Sequence, residues 1–252
     1  MYKKPDLSLF TTTLWEYPSQ DYGREPHGDK DYIGATPAWV IWQLLQRYTR
    51  ENDTILDPMA GSGTTLDVAA ELGRKGVGFD LAPSRPAIQQ ADARKLPLAD
   101  ESVDFVFVDP PYSTHVDYSD DPRCIGKLDA GEEGAEKRIQ KSEVRSQNSY
   151  YAAMGQVIAE IHRVVRNRRY MGLYVSDSFK KGKPFMPIGF ELFALLRQHF
   201  KAVDIIAIVR HNRTLKRGHW HTAAVEGNYF LRGFNYLFIM KKEDDQRSRK
   251  GT

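Results

Sequence analysis

The stretch that decides the fold is Thr54-Ile-Leu-Asp57-Pro-Met-Ala-Gly61-Ser-Gly63-Thr-Thr65. A short apolar run ends here at an aspartate and passes through a glycine turn into the helical pattern Thr64–Leu72. Glycines let the backbone turn sharply and approach a ligand closely, and the first turn of a helix leaves N–H groups without intrahelical partners. The stretch therefore predicts a strand–turn–helix unit with a ligand site at the turn.

Outward from this unit, short apolar runs alternate with helical patterns. The strand candidates are Thr54–Asp57, Gly76–Asp80, Ala87–Ala91, Phe105–Asp109, Tyr170–Ser176, Val203–Val209 and Tyr236–Met240. Besides Thr64–Leu72, one helix is predicted from Pro37, with Thr36 as its N-cap, to about Thr49–Asn52, with Val40, Ile41, Leu44, Leu45 and Tyr48 at helical spacing. Another has Met154, Val157, Ile158, Ile161 and Val165 on one face, and a third runs over about Gly189–His199. Buried strands that alternate with helices predict an α/β fold, a doubly wound Rossmann-like sheet. The connection from Asp80 to Ala87 is too short for a crossover helix, so we expect none there.

The length of 252 residues and the 41% hydrophobic content support one large domain, which we assign to residues 31–242. Residues 1–30 are predicted to be an ordered arm, and 243–252 a polar tail. We expect the aromatic side chains of the arm to cover the sheet rather than to stack on nucleic acid; they are Trp15, Tyr17 and Tyr22. Residues 113–149 lack apolar periodicity and are predicted to form a substrate-facing loop.

The cellular setting follows from what the chain lacks. A single cysteine, Cys124, cannot form an internal disulfide. No apolar stretch approaches the roughly 20 residues that span a membrane, and the first residues lack the apolar core of a signal peptide. These features predict a cytoplasmic protein without membrane association.

The net charge of +3 is compatible with a polyanionic partner, but the local clusters are more informative. Basic residues gather in three groups: Arg163, Arg166, Arg168 and Arg169; Lys180, Lys181 and Lys183; and Arg210, His211, Arg213, Lys216, Arg217, His219 and His221. A phosphate-binding footprint and a solvated basic face remain equal alternatives. A metal site at His219-Trp220-His221 is disfavoured because the chain has no zinc-ligand spacing, so no metal is predicted.

Three kinds of ligand site are weighed for the glycine turn. A phosphate-binding P-loop needs a lysine before its Ser/Thr, and this turn has none. The dinucleotide fingerprint needs a third glycine where the chain has Leu66. The third kind passes its glycines under the amino-acid half of S-adenosyl-L-methionine. Acids at the predicted strand ends favour it: Asp57 near the cofactor ammonium, Asp80 at the ribose hydroxyls and Asp92 at the adenine amino group.

The segment Phe105-Val-Phe-Val-Asp109-Pro110-Pro111-Tyr112 predicts the reacting site. Prolines stop strands, so a plain strand-ending turn is the alternative. They also remove backbone donors and leave carbonyl acceptors. Asp109 and the Pro110 carbonyl can each accept one N–H of an exocyclic amine, which aims its lone pair at the cofactor methyl and stabilises the charge that develops. Tyr112 is expected to stack on the base, which leaves a duplex by flipping.

Taken together, Asp57–Thr65 and Asp109–Tyr112 resemble the DNA amino-methyltransferases that act on adenine N6 or cytosine N4. The resemblance is strong over residues 30–112 and weaker beyond. It implies the class I methyltransferase fold, with about seven strands and the last one antiparallel, S-adenosyl-L-methionine as cofactor and DNA as partner. Ala35–Tyr48 is similar to the family's helix at the methionine end of the cofactor, and Asn228–Lys241 to its closing strand.

The resemblance implies roles for residues at matching positions. The catalytic residues are Asp109, Pro110, Pro111 and Tyr112. The cofactor residues are Thr36, Pro37, Asp57, Pro58, Met59, Ala60, Gly61, Gly63, Thr64, Thr65, Asp80, Leu81, Asp92 and Ala93. Residues in the variable segments are substrate candidates: His115, Tyr118, Arg213, Lys216 and Arg217.

Several functions stay open. An aspartate before Pro-Pro-Tyr favours adenine, with cytosine N4 as an alternative; a protein-glutamine enzyme would have asparagine there. A guanine-N2 tRNA methyltransferase has similar motifs but commonly adds an RNA-binding domain, which we do not find. A nucleic-acid-binding protein that kept only the fold is the alternative from another class. The chain departs from many family members in placing the glycine loop first, and it lacks room for a large target-recognition domain. A restriction-enzyme partner is left open.

Overall fold

Strands and helices alternate along the chain as the apolar runs predict. The computed structural model describes residues 5–29, 32, 34–112, 119–130, 149–179, 185–211 and 218–244. Its strands are β1 (Leu14–Trp15), β2 (Thr54–Asp57), β3 (Lys75–Asp80), β4 (Ile88–Gln90), β5 (Val103–Val108), β6 (Val165–Val175), β7 (Lys201–Val209) and β8 (Phe234–Lys241). Its helices are α1 (Ala38–Tyr48), α2 (Thr64–Glu71), α3 (Tyr150–Val164), α4 (Ile188–Leu196) and α5 (Gly218–Glu226).

All the described strands belong to one sheet, in the order β1-β7-β8-β6-β5-β2-β3-β4. The pairs β5–β6, β5–β2, β2–β3 and β3–β4 are parallel, whereas β8 runs antiparallel to both β6 and β7. The doubly wound α/β sheet with an antiparallel last strand is thus confirmed. The expected number of about seven strands is one too low, because β1 adds a short parallel edge strand beside β7.

The two faces of the sheet bury two apolar clusters. Because successive side chains of a strand point to opposite faces, β5 sends Phe105 and Phe107 into a cluster with α1 and α2. Its Val106 and Val108 join the cluster formed with α3 and α4. Both faces of the central strands are therefore covered, as expected of a parallel sheet. The ends of the strands are left as the places where a ligand can approach.

Three details of the helices bear on the predictions. The expected start of α1 is wrong by one residue, because Pro37 is the N-cap and the helix begins at Ala38. Thr36 lies before the cap, and its hydroxyl bonds elsewhere. The absence of a helix between Asp80 and β4 is confirmed for these described residues. Helix α5 was not predicted.

The N-terminal arm packs on α1. Trp15 and Tyr17 are buried against Trp39, with ring centroids 6.5 and 5.8 Å away. Tyr22 is also buried, and its hydroxyl donates to Glu71 in α2. The expectation that these aromatic side chains cover the sheet is confirmed. No helix in the described ranges combines the length and the apolar character that a membrane span needs.

The arginines around the α3–β6 junction lie at the amino end of β6 and are ion-paired. Arg163 binds Glu160 and Asp100, each at 2.7 Å. Arg166 and Arg169 bind Asp104 at 2.6 and 3.2 Å. Since these partners neutralise the cluster at the edge opposite the strand carboxyl ends, the structure favours an ion-paired surface here over a phosphate footprint.

Candidate active site

The candidate site lies where the sheet changes its direction of growth. From β2 the chain adds β3 and β4 on one side, and then β5 and β6 on the other. Open α/β sheets bind ligands beyond the carboxyl ends of the strands at such a switch point. Asp57 ends β2, Asp80 ends β3 and Asp109 directly follows β5. Asp57, Asp80 and Asp109 therefore lie at the same edge of the sheet.

The glycine turn between β2 and α2 needs left-handed backbone at two positions, Gly61 with φ +45° and Gly63 with φ +79°. The β3–β4 connection holds the turn in place. The Gly61 N–H donates to Asp80 Oδ2 at 3.0 Å, and Ser84 Oγ donates to the Gly61 carbonyl at 2.6 Å. Arg85 Nη2 donates to the Gly63 carbonyl at 2.8 Å. Sequence reasoning missed both Ser84 and Arg85, since nothing local marks them.

Asp57 is buried below this turn. Its carboxylate accepts the Met59 N–H at 3.1 Å and the Thr65 hydroxyl at 2.5 Å. Burial raises the pKa of Asp57 to about 7. Asp92, predicted to meet the adenine amino group, lines the smaller cavity and is paired with Arg94 at 2.6 Å; its role toward a cofactor stays a prediction. Burial opposes the change, but the hydrogen bonds from Arg94 lower the pKa of Asp92 overall.

Asp109 is half-buried, and hydroxyl groups hold both of its carboxylate oxygens. Thr36 Oγ1 donates to Oδ2 at 2.5 Å, and Tyr112 OH donates to Oδ1 at 2.6 Å. Burial raises the pKa of Asp109 to about 7. Tyr150 in α3 donates its hydroxyl to the Pro111 carbonyl at 2.9 Å, which anchors the turn from below. Thr36, predicted as a helix cap and cofactor residue, therefore positions Asp109.

A cavity of about 680 Å³ opens on one side of Asp109. That size suits a small-molecule or nucleotide ligand. The glycine turn and the end of β2 form one wall. The other wall comes from the β6 end, the β7 end, helix α5 and the segment after it. Its lining residues are Ser176, Asp177, Ser178, Phe179, Arg210, Trp220, Ala223, Tyr229, Phe230, Leu231 and Arg232.

A smaller cavity of about 80 Å³ lies on the other side of Asp109. Pro58, Asp80, Leu81, Ala91, Asp92, Ala93, Pro111, Ser119, Cys124 and Ile125 line it. Both cavities are bordered by Tyr32, Met59 and Asp109, so the two spaces meet beside the Asp109–Tyr112 turn. Of the residues predicted to bind cofactor or to react, only Pro37, Gly63 and Pro110 line neither space.

The wall residues at Ser176–Phe179 were missed, although a signal for them was present. The predicted strand Tyr170–Ser176 ends at this point, and the rule that flagged the other strand ends applies here as well. Asp177 accepts the Gly189 N–H at 2.9 Å and the Tyr236 hydroxyl at 3.1 Å. It therefore ties the end of β6 to α4 and β8.

Several predicted residues lie outside the described residues, and their roles stay predictions: His115, Tyr118, Lys180, Lys181, Lys183, Arg213, Lys216 and Arg217. The described part of the long loop, 119–130, borders the smaller cavity. Within the ranges that the structure describes, which include His219 and His221, no three metal-binding side chains come together.

The two buried acids predict a pH dependence of stability. Their ordinary pKa is 3.8, and burial raises it to about 7 in Asp57 and Asp109. Between about pH 4 and 7 the unfolded chain has released protons that the folded chain retains, so the free energy of unfolding falls as pH rises through this window. We expect Asp109→Asn to make that fall shallower in urea titrations at pH 5 and 8. An unchanged difference between the two pH values would contradict the assignment.

Comparisons with known proteins agree with this arrangement. Residues 3–90 match the N6/N4 methyltransferase family model described as DNA methylase. A type II methyltransferase of Lactococcus lactis subsp. cremoris, M2.LlaDCHI, is 50% identical over 44 residues, which are 18% of this chain and 16% of that protein. M.MjaII of Methanocaldococcus jannaschii is 33% identical over 69 residues, 27% of this chain and 13% of that protein. The matches thus span less than a fifth of either relative.

A solved structure supports the fold over most of the chain. The crystal structure of TrmN from Thermus thermophilus superposes with a TM-score of 0.50 and 15% identity, over 83% of this chain and 50% of that one. At this identity the superposition bears on the fold alone, which is that of the class I methyltransferases. Over residues 3–90 the chain is thus similar to the N6/N4 DNA methylases, and the type II relatives match it over shorter stretches.

Proposed function

We propose that the chain is an S-adenosyl-L-methionine-dependent DNA methyltransferase that modifies the exocyclic amino group of adenine, N6. The observation that carries the proposal is the position of Asp109. Its carboxylate borders both the smaller cavity, which Asp80 and Asp92 line, and the larger cavity, which has the glycine turn on one wall and aromatic side chains on the other. A cofactor that extends from the smaller cavity to the glycine turn and a base in the larger cavity would therefore meet beside this carboxylate.

The residues present fit S-adenosyl-L-methionine. Leu81, Ala93 and Ile125 give the smaller cavity apolar walls, and the carboxylates of Asp80 and Asp92 offer acceptors for hydroxyl or amino groups. The oxygens of Asp80 each accept one backbone N–H, which fixes their direction and leaves a lone pair on each. These groups match the apolar ring face, the hydroxyl groups and the amino group of an adenosine moiety.

The methionine end of S-adenosyl-L-methionine fits the larger cavity. A Cβ on Gly61 would lie 2.9 Å from the Tyr32 ring, so the turn presents bare backbone at the boundary between the cavities. Asp57 lies at the same wall and supplies a buried acid for an ammonium group. When bound there, the cofactor supplies an electrophilic methyl group on a sulfonium.

The chain contributes orientation and charge stabilisation. We assign Asp109 to accept an N–H of the amine, while Thr36 and Tyr112 hold the carboxylate in place. Positive charge grows on the amine nitrogen as it is methylated, so the contact with a carboxylate strengthens toward the transition state. A pKa of about 7 also suits Asp109 to take up the proton that the amine then releases. The Pro110 carbonyl is the proposed second acceptor.

The choice of adenine in DNA rests on Asp109 in the Asp109–Tyr112 motif and on the type II relatives. The proposal also assigns residues 31–242 as the catalytic domain and 113–149 as substrate-facing. This function implies the cytoplasm as the compartment and leaves a restriction-enzyme partner open.

The modified nucleoside decides this proposal. Labelled S-adenosyl-L-methionine is incubated with the protein and, in separate reactions, with duplex DNA and total tRNA, followed by digestion and mass spectrometry of the nucleosides. We expect N6-methyldeoxyadenosine from DNA, and no product from Asp109→Ala. N4-methyldeoxycytidine would replace the adenine assignment, and label confined to tRNA would overturn the DNA assignment.

A further inference from the structure

Phe230 lies at the mouth of the larger cavity, and its side chain is 85% exposed. Because apolar surface gains free energy when it leaves water, a largely solvated ring beside this cavity is available to stack on a ligand. We infer that Phe230 stacks on a DNA base next to the target, a base that is uncovered when the target leaves the stack. This inference rests on the proposed function and names the part of the substrate that lies outside the cavity.

The backbone around Phe230 is held in place from the protein side. Arg232 Nη2 donates to the Phe230 carbonyl at 2.6 Å. The same guanidinium lies over the Phe185 ring, 5.2 Å from its centroid. The segment then enters β8, where Phe234 makes an edge contact with Tyr236 at 5.0 Å. The exposed ring therefore projects from a fixed base rather than from a free loop end.

More aromatic rings are exposed around Phe230. Phe185 is 48% exposed, and Trp220 in α5 is 40% exposed. Trp220 and Phe230 line the same cavity. Aromatic rings give bases of any sequence a stacking surface, and apolar side chains of DNA-binding proteins often enter between base steps. A target taken out of a duplex leaves such a step open.

The positive charge around Phe230 favours DNA as its binding partner over an apolar protein surface. Residues 209–233 contain five arginine or lysine residues and a single acid, Glu226. Arg210 and Arg232 of this set line the cavity itself. The aromatic ring can stack on a base of a DNA strand while the neighbouring cations contact its phosphates.

The test measures binding of a labelled, mixed-sequence single-stranded 20-mer by fluorescence anisotropy at several salt concentrations. Loss of one stacked base costs about 1–3 kcal/mol, so Phe230→Ala is expected to raise Kd roughly 5- to 150-fold. Because stacking releases no counterions, the slope of log Kd against log salt should stay unchanged. Phe230→Trp should retain wild-type affinity. Val225→Ala is the matched control, since Val225 is 82% exposed but lines neither cavity.

The outcomes separate this inference from the proposed function. A wild-type protein that methylates DNA, with Phe230→Ala binding the 20-mer as tightly as Val225→Ala, overturns the stacking role alone. A shift of Phe230→Ala to a smaller oligomer in light scattering would assign the ring to contact between copies and also overturn it. Absence of any DNA methylation by the wild type would defeat the proposed function first. Binding of S-adenosylhomocysteine should be equal in all variants.

Discussion

Asp109→Asn should reduce kcat for methyl transfer on the order of 10³-fold, the loss typical of removing one group that stabilises developing charge. Asparagine keeps the shape, and its single carbonyl oxygen can still accept one of the hydroxyls of Thr36 and Tyr112, while the other hydroxyl can accept from the amide N–H. It carries no negative charge, however, and its amide N–H groups would face the N–H groups of the substrate amine. The measurement is single-turnover transfer of labelled methyl groups to DNA, with binding of S-adenosylhomocysteine measured in parallel and expected to be unchanged.

Asp104→Asn is the matched control for this substitution. Asp104 is a buried aspartate within β5, near the amino end of the strand, and it pairs with Arg166 at 2.6 Å. Its loss should lower the free energy of unfolding while leaving kcat near the wild-type value. If Asp109→Asn retained more than a tenth of the wild-type kcat, Asp109 would not be the acceptor of the amine.

Gly63→Val should weaken cofactor binding at least tenfold and lower the free energy of unfolding. A β-branched residue at φ +79° is strained, at a cost of about 1–3 kcal/mol. A Cβ there would also lie 2.5 Å from the guanidinium carbon of Arg85. That clash would displace Arg85 from the Gly63 carbonyl and from Asp67, two of the contacts that hold the turn. Calorimetric titration with S-adenosylhomocysteine gives the affinity, and urea titration gives the stability.

Gly23→Val separates backbone strain from this clash. Gly23 has φ +61°, and a Cβ there would meet no atom within 4 Å. The Gly23 variant should lose stability to a similar extent, yet bind the cofactor as the wild type does. Equal cofactor affinity in the two variants would show that the position of Arg85 does not control the turn.

The central strands and their functional ends were predictable because their signals are local. Thr54–Asp57 was predicted with its observed bounds. The predicted strand Phe105–Asp109 corresponds to β5, which ends one residue earlier, at Val108. The parallel-strand rule then placed the acids at one edge of the sheet without any knowledge of packing. The roles assigned to Asp80 and Asp92 toward the cofactor stay predictions.

Elements without a periodic signal were missed. Strand β1 has two residues, too few for an alternation to appear, and exists because Leu14 and Trp15 meet Ala207 and Ile208. Helix α5 buries only Ala224 among its residues, so its sequence shows no apolar stripe. The helix is visible only in the folded structure, where its residues Trp220 and Ala223 line the larger cavity.

The order of buried strands, the glycine turn and the acids that follow the strands were determined by the sequence itself, because turn chemistry and apolar periodicity act over a few residues. Tertiary structure alone decided which groups meet from distant segments. It placed Thr36 on Asp109, 73 positions apart, and Arg85 on the Gly63 carbonyl. It also left the Phe230 side chain exposed and paired Arg166 with Asp104. Such pairings depend on how distant segments pack in space, and local sequence patterns carry no information about that packing.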